Sequence, residues 1–170
     1  MNTIIVMELI KKQQELLQHQ ENALKTFNRN LSQLVDIARK KTSGDNRMEM
    51  IHDLLRAINS ITPEIIITNA GPYIWKYRDY VKNRQEEFFL KHDFEGEVKQ
   101  YYTENNVDSF SQNEIVEIMD TMRSLYPSTS AQERELIWKL AQELLANYCI
   151  YIKCEREREI LSKSLSALRQ

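Results

Sequence analysis

Histidine and aspartate are the residues of this chain that could hold a catalytic metal ion. Two of the three histidines precede an aspartate, as His52-Asp53 and His92-Asp93, and Asp120 follows later in the chain. Imidazole and carboxylate ligands gathered at one site can hold a divalent cation and activate a bound water for hydrolysis. The sequence therefore contains one possible set of metal ligands, and the fold would have to bring it together.

The order of His52, His92, Asp93 and Asp120 resembles the His…His-Asp…Asp pattern of the HD-type metal-dependent phosphohydrolases. The resemblance implies an all-helical metal enzyme with these four side chains as ligands. However, His92-Asp93 lies in a charged stretch of poor periodicity, and the surrounding glycines typical of that family are missing. We therefore favour the interpretation that these are surface residues, with Asp93 capping the next short helix.

A second set of acidic residues lies three apart, as Glu114, Glu117 and Asp120, on one face of a predicted helix. Such a face can hold Mg²⁺ when a facing helix supplies a second acidic pair. No other acidic pair in the chain has the matching spacing. Because acidic side chains also stabilise a helix near its N-terminus, we favour that simpler interpretation.

The two cysteines, Cys149 and Cys154, lie five apart in a predicted helix, so their side chains point in different directions and do not easily form a disulfide. The spacing is also unlike that of zinc thiolates. We interpret them as buried helix residues in a reducing, intracellular compartment. Since the sequence also lacks a glycine-rich phosphate loop and a nucleophile elbow, we predict no enzyme, cofactor or metal.

The segment from Tyr73 to Arg84 combines aromatic residues with Lys76, Arg78, Lys82 and Arg84. Aromatic and basic side chains together can stack on bases and neutralise phosphates, so nucleic-acid binding is one hypothesis. Residues 43–130 carry nine Lys/Arg and fifteen Asp/Glu, and this net charge of -6 would oppose a phosphate backbone. We therefore prefer a protein contact through Trp75 and Arg78, since Trp, Tyr and Arg dominate interface energies.

This segment, followed by Glu87-Phe88-Phe89-Leu90 and Asp93-Phe94, resembles small uncharacterised helical proteins encoded by large DNA viruses of eukaryotes. The resemblance implies a protein of the virion or the viral factory. It further implies a minor capsid component, because such components use long helices to join larger subunits. No site residue follows from this resemblance.

Apolar residues recur at heptad spacing at both ends of the chain, and spacings of three and four place them on one stripe of a helix. The N-terminal stripe contains Val6, Ile10, Leu17, Leu24, Phe27, Leu31, Leu34 and Ala38. The C-terminal stripe contains Ile137, Leu140, Leu144, Tyr151, Cys154, Leu161, Leu165 and Leu168. A stripe of this kind must be covered by a partner helix. The sequence leaves open whether that partner belongs to the same chain.

These patterns predict an all-α fold, with two long terminal helices around a middle bundle of four or five shorter ones. Residues 1–42 form the first long helix, 43–127 the compact middle and 128–170 the last helix, in one structural unit. Gly44 and the capping box at Ser130 mark the boundaries, and Gly71-Pro72 is expected to break or kink a helix. The apolar start of the chain is too short to span a membrane.

We therefore predict a non-enzymatic structural or scaffolding protein that self-associates or binds other structural proteins, in the virion if the viral resemblance holds. The alternatives are a nucleic-acid-binding module and, next, the HD-type phosphohydrolase. The predicted partner-contact residues are Leu17, Leu24, Phe27, Leu31, Leu34, Trp75, Arg78, Ile137, Leu140, Leu144 and Tyr151.

Overall fold

The computed structural model describes residues 2–44, 46–105 and 109–170 and is all-α, as predicted. These residues form eight α-helices and contain no strand. The helices are α1 Thr3–Lys41, α2 Asn46–Ile61, α3 Glu64–Lys76, α4 Arg78–Lys82, α5 Glu86–Lys91, α6 Phe94–Asn105, α7 Ser109–Leu125 and α8 Ala131–Leu168. A 3₁₀-helical turn, Tyr126–Ser128, joins α7 to α8. None of the helices in the described ranges combines the length and the apolar character needed to cross a bilayer.

The two long helices begin and end where their capping residues are found. The Asn2 side chain accepts a hydrogen bond from the Ile4 amide at the start of α1, and Gly44 follows its end with φ 98°. At the start of α8, the Glu133 amide donates to Ser130 Oγ, and the Ser130 amide donates to Glu133 Oε1, which completes the predicted capping box.

The middle of the chain contains six helices in its described part, where the sequence predicted four or five. The additional helix is α5, which has only six residues and is too short to show a helical period. Of the break or kink predicted at Gly71-Pro72, the break does not occur, because α3 continues through both residues to Lys76. Gly71 is buried there because its backbone packs against the ring of Tyr148 on α8.

The long helices pair with each other in antiparallel orientation within the chain. Gln13 Nε2 donates to the Arg158 carbonyl at 3.0 Å, and Asn30 Nδ2 donates to Glu143 Oε2 at 3.0 Å. As residue numbers rise along α1, the numbers of the contacting residues fall along α8. The two helices therefore keep one register over most of their length.

The facing positions of α1 and α8 define what we call the seam. They recur at alternating spacings of three and four, as in a coiled coil. On α1 they are Val6, Leu9, Gln13, Leu16, Gln20, Ala23, Phe27, Asn30 and Leu34. On α8 they are Leu140, Leu144, Asn147, Tyr151, Cys154, Arg158, Leu161, Leu165 and Leu168.

The helices α2 and α3 cover the C-terminal half of α1 and complete the core. The buried Asn28 of α1 donates to Asn59 Oδ1 at 2.9 Å and to the Pro63 carbonyl at 3.0 Å, so it ties α1 to the link between α2 and α3. Phe27 and Ile67 are fully buried in the same apolar cluster. This cluster holds together the body of the molecule, by which we mean the part of the α1–α8 pair that the middle helices cover.

Replacing Phe27 with alanine should lower the free energy of unfolding by about 3–5 kcal/mol, because the side chain is fully buried and its removal leaves a cavity. Urea denaturation followed by circular dichroism measures the change. Ile61→Ala is the control, and it should change stability by no more than about 0.5 kcal/mol because Ile61 is 82% exposed. Equal effects of the two variants would contradict the assignment of the core.

Gly71→Ala should also destabilise the protein, although alanine is the better helix former by about 1 kcal/mol. A Cβ at residue 71 would lie 2.2 Å from two ring carbons of Tyr148, so α3 and α8 would have to separate. Such overpacking costs about 1–3 kcal/mol, which exceeds the gain in propensity. Gly96→Ala in the exposed part of α6 is the matched control, and it should leave the urea midpoint unchanged or raise it.

An ion pair between the ends of the long helices makes stability depend on pH. Lys41 Nζ lies 3.0 Å from Glu133 Oε2, and this contact, with the capping hydrogen bonds, holds the pKa of Glu133 below its ordinary value of 4.5. Because the pKa is lowered in the folded state, the stabilisation is complete above pH 4.5 and is lost as pH falls through the lowered value.

Glu133→Gln removes this charge and keeps an acceptor for the capping box. We expect wild type to have the higher urea midpoint at pH 7 and the two proteins to converge at pH 2. A difference that stays constant between pH 7 and pH 2 would show that the ion pair does not contribute.

Candidate functional site

The distal ends of α1 and α8 form a two-helix arm, which we define as residues 3–19 and 155–168. The structure describes every residue of both stretches, and none of them is buried. Gln20 is the first buried residue of α1, and Cys154 is the last of α8. Seventeen residues at the helical rise give the arm a length of about 25 Å. The arm therefore projects from the part of the chain that α2 and α3 cover.

One side of the arm carries apolar side chains that the described chain leaves partly or largely exposed. Ile4 is 67% exposed, Met7 is 64% exposed, and Ile10 and Leu17 are also exposed. Spacings of three and seven place these four residues on one side of α1, next to the seam. We call them the arm stripe.

The same side of α1 is covered in the body of the molecule. Leu24 and Ala38 continue the heptad of Ile10 and Leu17 towards the C-terminus of α1, and both are buried in the core. The middle helices thus cover this side of α1 around Leu24 and Ala38. The same apolar surface continues along the arm, where no third helix of the described chain packs on it. The arm stripe is an incomplete helix-packing surface.

A polar layer lies in the seam at the base of the arm. The guanidinium of Arg158 donates to Gln20 Oε1 at 2.5 Å, and Gln13 donates to the Arg158 carbonyl. Gln13 Oε1 and Arg158 Nε are buried without a hydrogen-bond partner among the described residues. Buried polar groups weaken a seam but fix its register, because any slip would leave more of them unpaired.

Several predicted partner contacts instead belong to the core of this chain. Those that are buried are Leu24, Phe27, Leu34, Leu140, Leu144 and Tyr151. Leu31 and Ile137 are half-buried against the same cluster. In this conformation they are covered by other parts of the chain and are not displayed to a partner. Burial also raises the pKa of Tyr151, because it disfavours the phenolate.

Leu17, Trp75 and Arg78 remain as predicted contact residues that reach the surface. Trp75 is 45% exposed, and the Arg78 guanidinium lies 4.5 Å from the centre of its indole ring. Arg78 also donates to the Trp75 carbonyl at 3.0 Å. The pair is a preorganised cation–π contact at the surface of the middle bundle.

Two of the four basic residues of this segment are ion-paired within the chain. Lys76 Nζ lies 3.4 Å from Glu97 Oε2. Arg84 donates to both carboxylate oxygens of Glu135, at 2.6 and 3.0 Å, and this contact lowers the pKa of Glu135. Charges neutralised in this way attract a phosphate backbone weakly. The nucleic-acid hypothesis would therefore depend mainly on Arg78 and Lys82.

The predicted HD-type ligands do not form one cluster in the structure. Among the described residues, the one group of three or more His, Cys, Asp or Glu side chains close enough to share an ion is Glu49, His52 and Asp53. It contains none of the other three predicted ligands. His92 instead lies 2.8 Å from Glu97 Oε1 and stacks on Phe88.

The acidic trio is only partly described, and the cysteines form no metal cluster among the described residues. The side chain of Glu114 lies outside the described residues, and Glu117 lies 3.7 Å from Arg47. Both cysteines are free, and Cys154 is buried. Burial raises the pKa of the Cys154 thiol, so the reactive thiolate is disfavoured at neutral pH.

A cavity of about 260 Å³ lies between the middle helices and the two long ones. Apolar side chains form nearly all of its wall, and the charged residues among the described lining are Glu86 and Arg123. The aromatic part of the described wall consists of Tyr73, Tyr77, Phe89, Phe94, Tyr126 and Trp138. Sequence patterns do not indicate this cavity, because its wall combines residues from distant helices.

Both charged residues of the wall are already bound by the chain. The Tyr126 hydroxyl donates to the Glu86 carboxylate and accepts a hydrogen bond from Trp138 Nε1 at 3.0 Å. Burial and the Glu86 contact raise the pKa of Tyr126. Arg123 donates to the carbonyls of Phe89 and His92.

The cavity is partly open to solvent, and its wall is almost wholly apolar. Water is a poor filler of such a space, because it needs two to four polar partners. The chemistry of the wall therefore suits an apolar occupant.

The comparisons with known proteins identify no relative. No protein family model matches the chain, no curated protein matches it, and no solved structure matches its fold. The arm and the cavity are therefore interpreted from their own chemistry.

Proposed function

We propose that the chain is a non-enzymatic helical structural protein that acts through its arm, by pairing with the arm of a second copy. The observation that carries the proposal is the arm stripe, an uncovered apolar surface that continues the covered face of α1. The partner-contact residues of the proposal are Ile4, Met7, Ile10 and Leu17.

Pairing of two arms would complete the packing that each arm lacks alone. Burying a large aliphatic side chain contributes about 1.5–3 kcal/mol. In a symmetric pair, each stripe residue is buried in both copies, so this contribution counts once for each copy. Two antiparallel helix pairs docked by their apolar sides give a four-helix bundle, in which each helix has two neighbours. The polar layer at Gln13, Gln20 and Arg158 would keep each arm in register while it docks.

The charges of the arm favour a second copy over a strongly charged partner. Residues 3–19 contain two Asp/Glu and two Lys/Arg, and residues 155–168 contain three of each, so both helices have a net charge of zero. Two neutral arms do not repel each other, whereas a nucleic acid would find no excess of positive charge. Trp75 and Arg78 form a second surface that could join such pairs to other structural proteins.

The viral resemblance of residues 73–94 adds a finer proposal, that the assembled protein is a minor component of a virion. A rod-like arm that joins two copies suits a protein that ties larger subunits together. This part of the proposal depends on the resemblance alone.

Replacing Met7 and Ile10 with aspartate should disrupt the pairing, because each pair of arms would then bury four carboxylates. We expect the dissociation constant of the dimer to rise at least 100-fold, as measured by sedimentation velocity over a range of concentrations. The seam residues Val6 and Leu9 are unchanged, so the helical circular dichroism of the monomer should be preserved.

The matched control is Lys12→Asp, at an exposed position of α1 that faces away from the arm stripe. It changes the net charge of the arm as much as the Met7 and Ile10 replacements do, and it should leave the dissociation constant within a few-fold of wild type. A wild-type chain that is monomeric at all concentrations would overturn the choice of a second copy as the partner. A dimer that withstands the Met7 and Ile10 changes would show that its interface lies elsewhere.

A further inference from the structure

We infer that the cavity between the middle bundle and the long helices is a binding site for a neutral apolar small molecule, such as a medium-length alkyl chain. This site is separate from the arm and does not depend on the function proposed for it. No residue of the arm stripe lines the cavity.

The size and the wall of the cavity indicate the class of ligand. Its volume of about 260 Å³ is many times the ~10–15 Å³ that a single water requires, so it has room for a molecule of several non-hydrogen atoms. Aromatic rings and aliphatic side chains surround it, while Met119 and Met122 add flexible thioethers that adapt to different shapes.

The charges around the cavity argue for a neutral ligand. Glu86 is engaged by the Tyr126 hydroxyl, and Arg123 is engaged by the carbonyls of Phe89 and His92. The described wall thus carries one charge of each sign, so a charged group brought into this apolar space would lose its water and meet no net counter-charge. An alkyl chain ending in a hydroxyl carries no such penalty, and its tail would fill the void.

The wall also contains a route for entry. Leu90, Met119 and Met122 line the cavity and are only half-buried, so the cavity reaches the surface on this side. Leu90 belongs to α5, which has only six residues, and a small shift of such a short element widens the opening more readily than a movement of the long helices.

Isothermal titration calorimetry with 1-octanol tests the inference on the full-length wild-type protein. We expect saturable binding near one molecule per chain, with octanoate and octylammonium at least tenfold weaker and 1-dodecanol weaker than 1-octanol. Equal binding of the charged and neutral compounds, or no saturable binding of 1-octanol, would overturn the inference.

Ala141 lines the cavity from α8, whereas Ala146 on the same helix is exposed. Ala141→Leu should fill part of the void, weaken 1-octanol binding at least tenfold and raise the melting temperature, while Ala146→Leu should change neither. Ala70→Val is a milder filling variant should Ala141→Leu fail to fold. Undiminished octanol binding by the folded filling variant would overturn the assignment of the site.

The arm variant with Met7 and Ile10 replaced by aspartate separates this inference from the proposed function. It should bind 1-octanol with wild-type affinity even though it no longer dimerises. Loss of octanol binding in that variant would place the ligand on the arm and overturn the inference.

Discussion

The structure depends on the seam between α1 and α8, which joins the two ends of the chain. It places residues more than one hundred positions apart in direct contact, as in the hydrogen bond between Gln13 and the Arg158 carbonyl. The middle helices pack on this frame, and both the arm and the cavity follow from it. Where the middle helices pack on α1 and α8, the paired helices form the core. Where α1 and α8 extend beyond the middle helices, they form the arm.

The seam contains apolar residues that pack together and polar residues that fix the register of α1 against α8. An entirely apolar seam would be more stable but could slip by a heptad, because every apolar layer resembles the next. Gln13, Gln20 and Arg158 interrupt it at the base of the arm, where the two helices are no longer held by others. The molecule thus gives up some stability at that point and gains a fixed register for its exposed surface.

The sequence predicted the long helices well because their signals are local. The heptads, the caps and the near absence of glycine and proline all lie within the helices themselves. It could not tell which apolar stripe of α1 faces α8, because Ile10 and Leu17 lie next to the seam and are equally apolar. The path of α3 through Gly71 depends on Tyr148, and the cavity depends on several helices at once. Such features come from tertiary packing, which a single sequence does not display.

Pairing of the long helices within one chain is tested most directly by a distance between spin labels. Cysteines replacing the exposed Gln14 and Glu159, in a chain whose native cysteines are replaced by alanine, would carry the labels. Double electron–electron resonance should give a distance of about 20 Å or less, because packed helix axes lie 8–10 Å apart. The distance should persist when the labelled protein is refolded with a tenfold excess of unlabelled chain. Its disappearance on dilution would show that the seam forms between chains and would contradict this account.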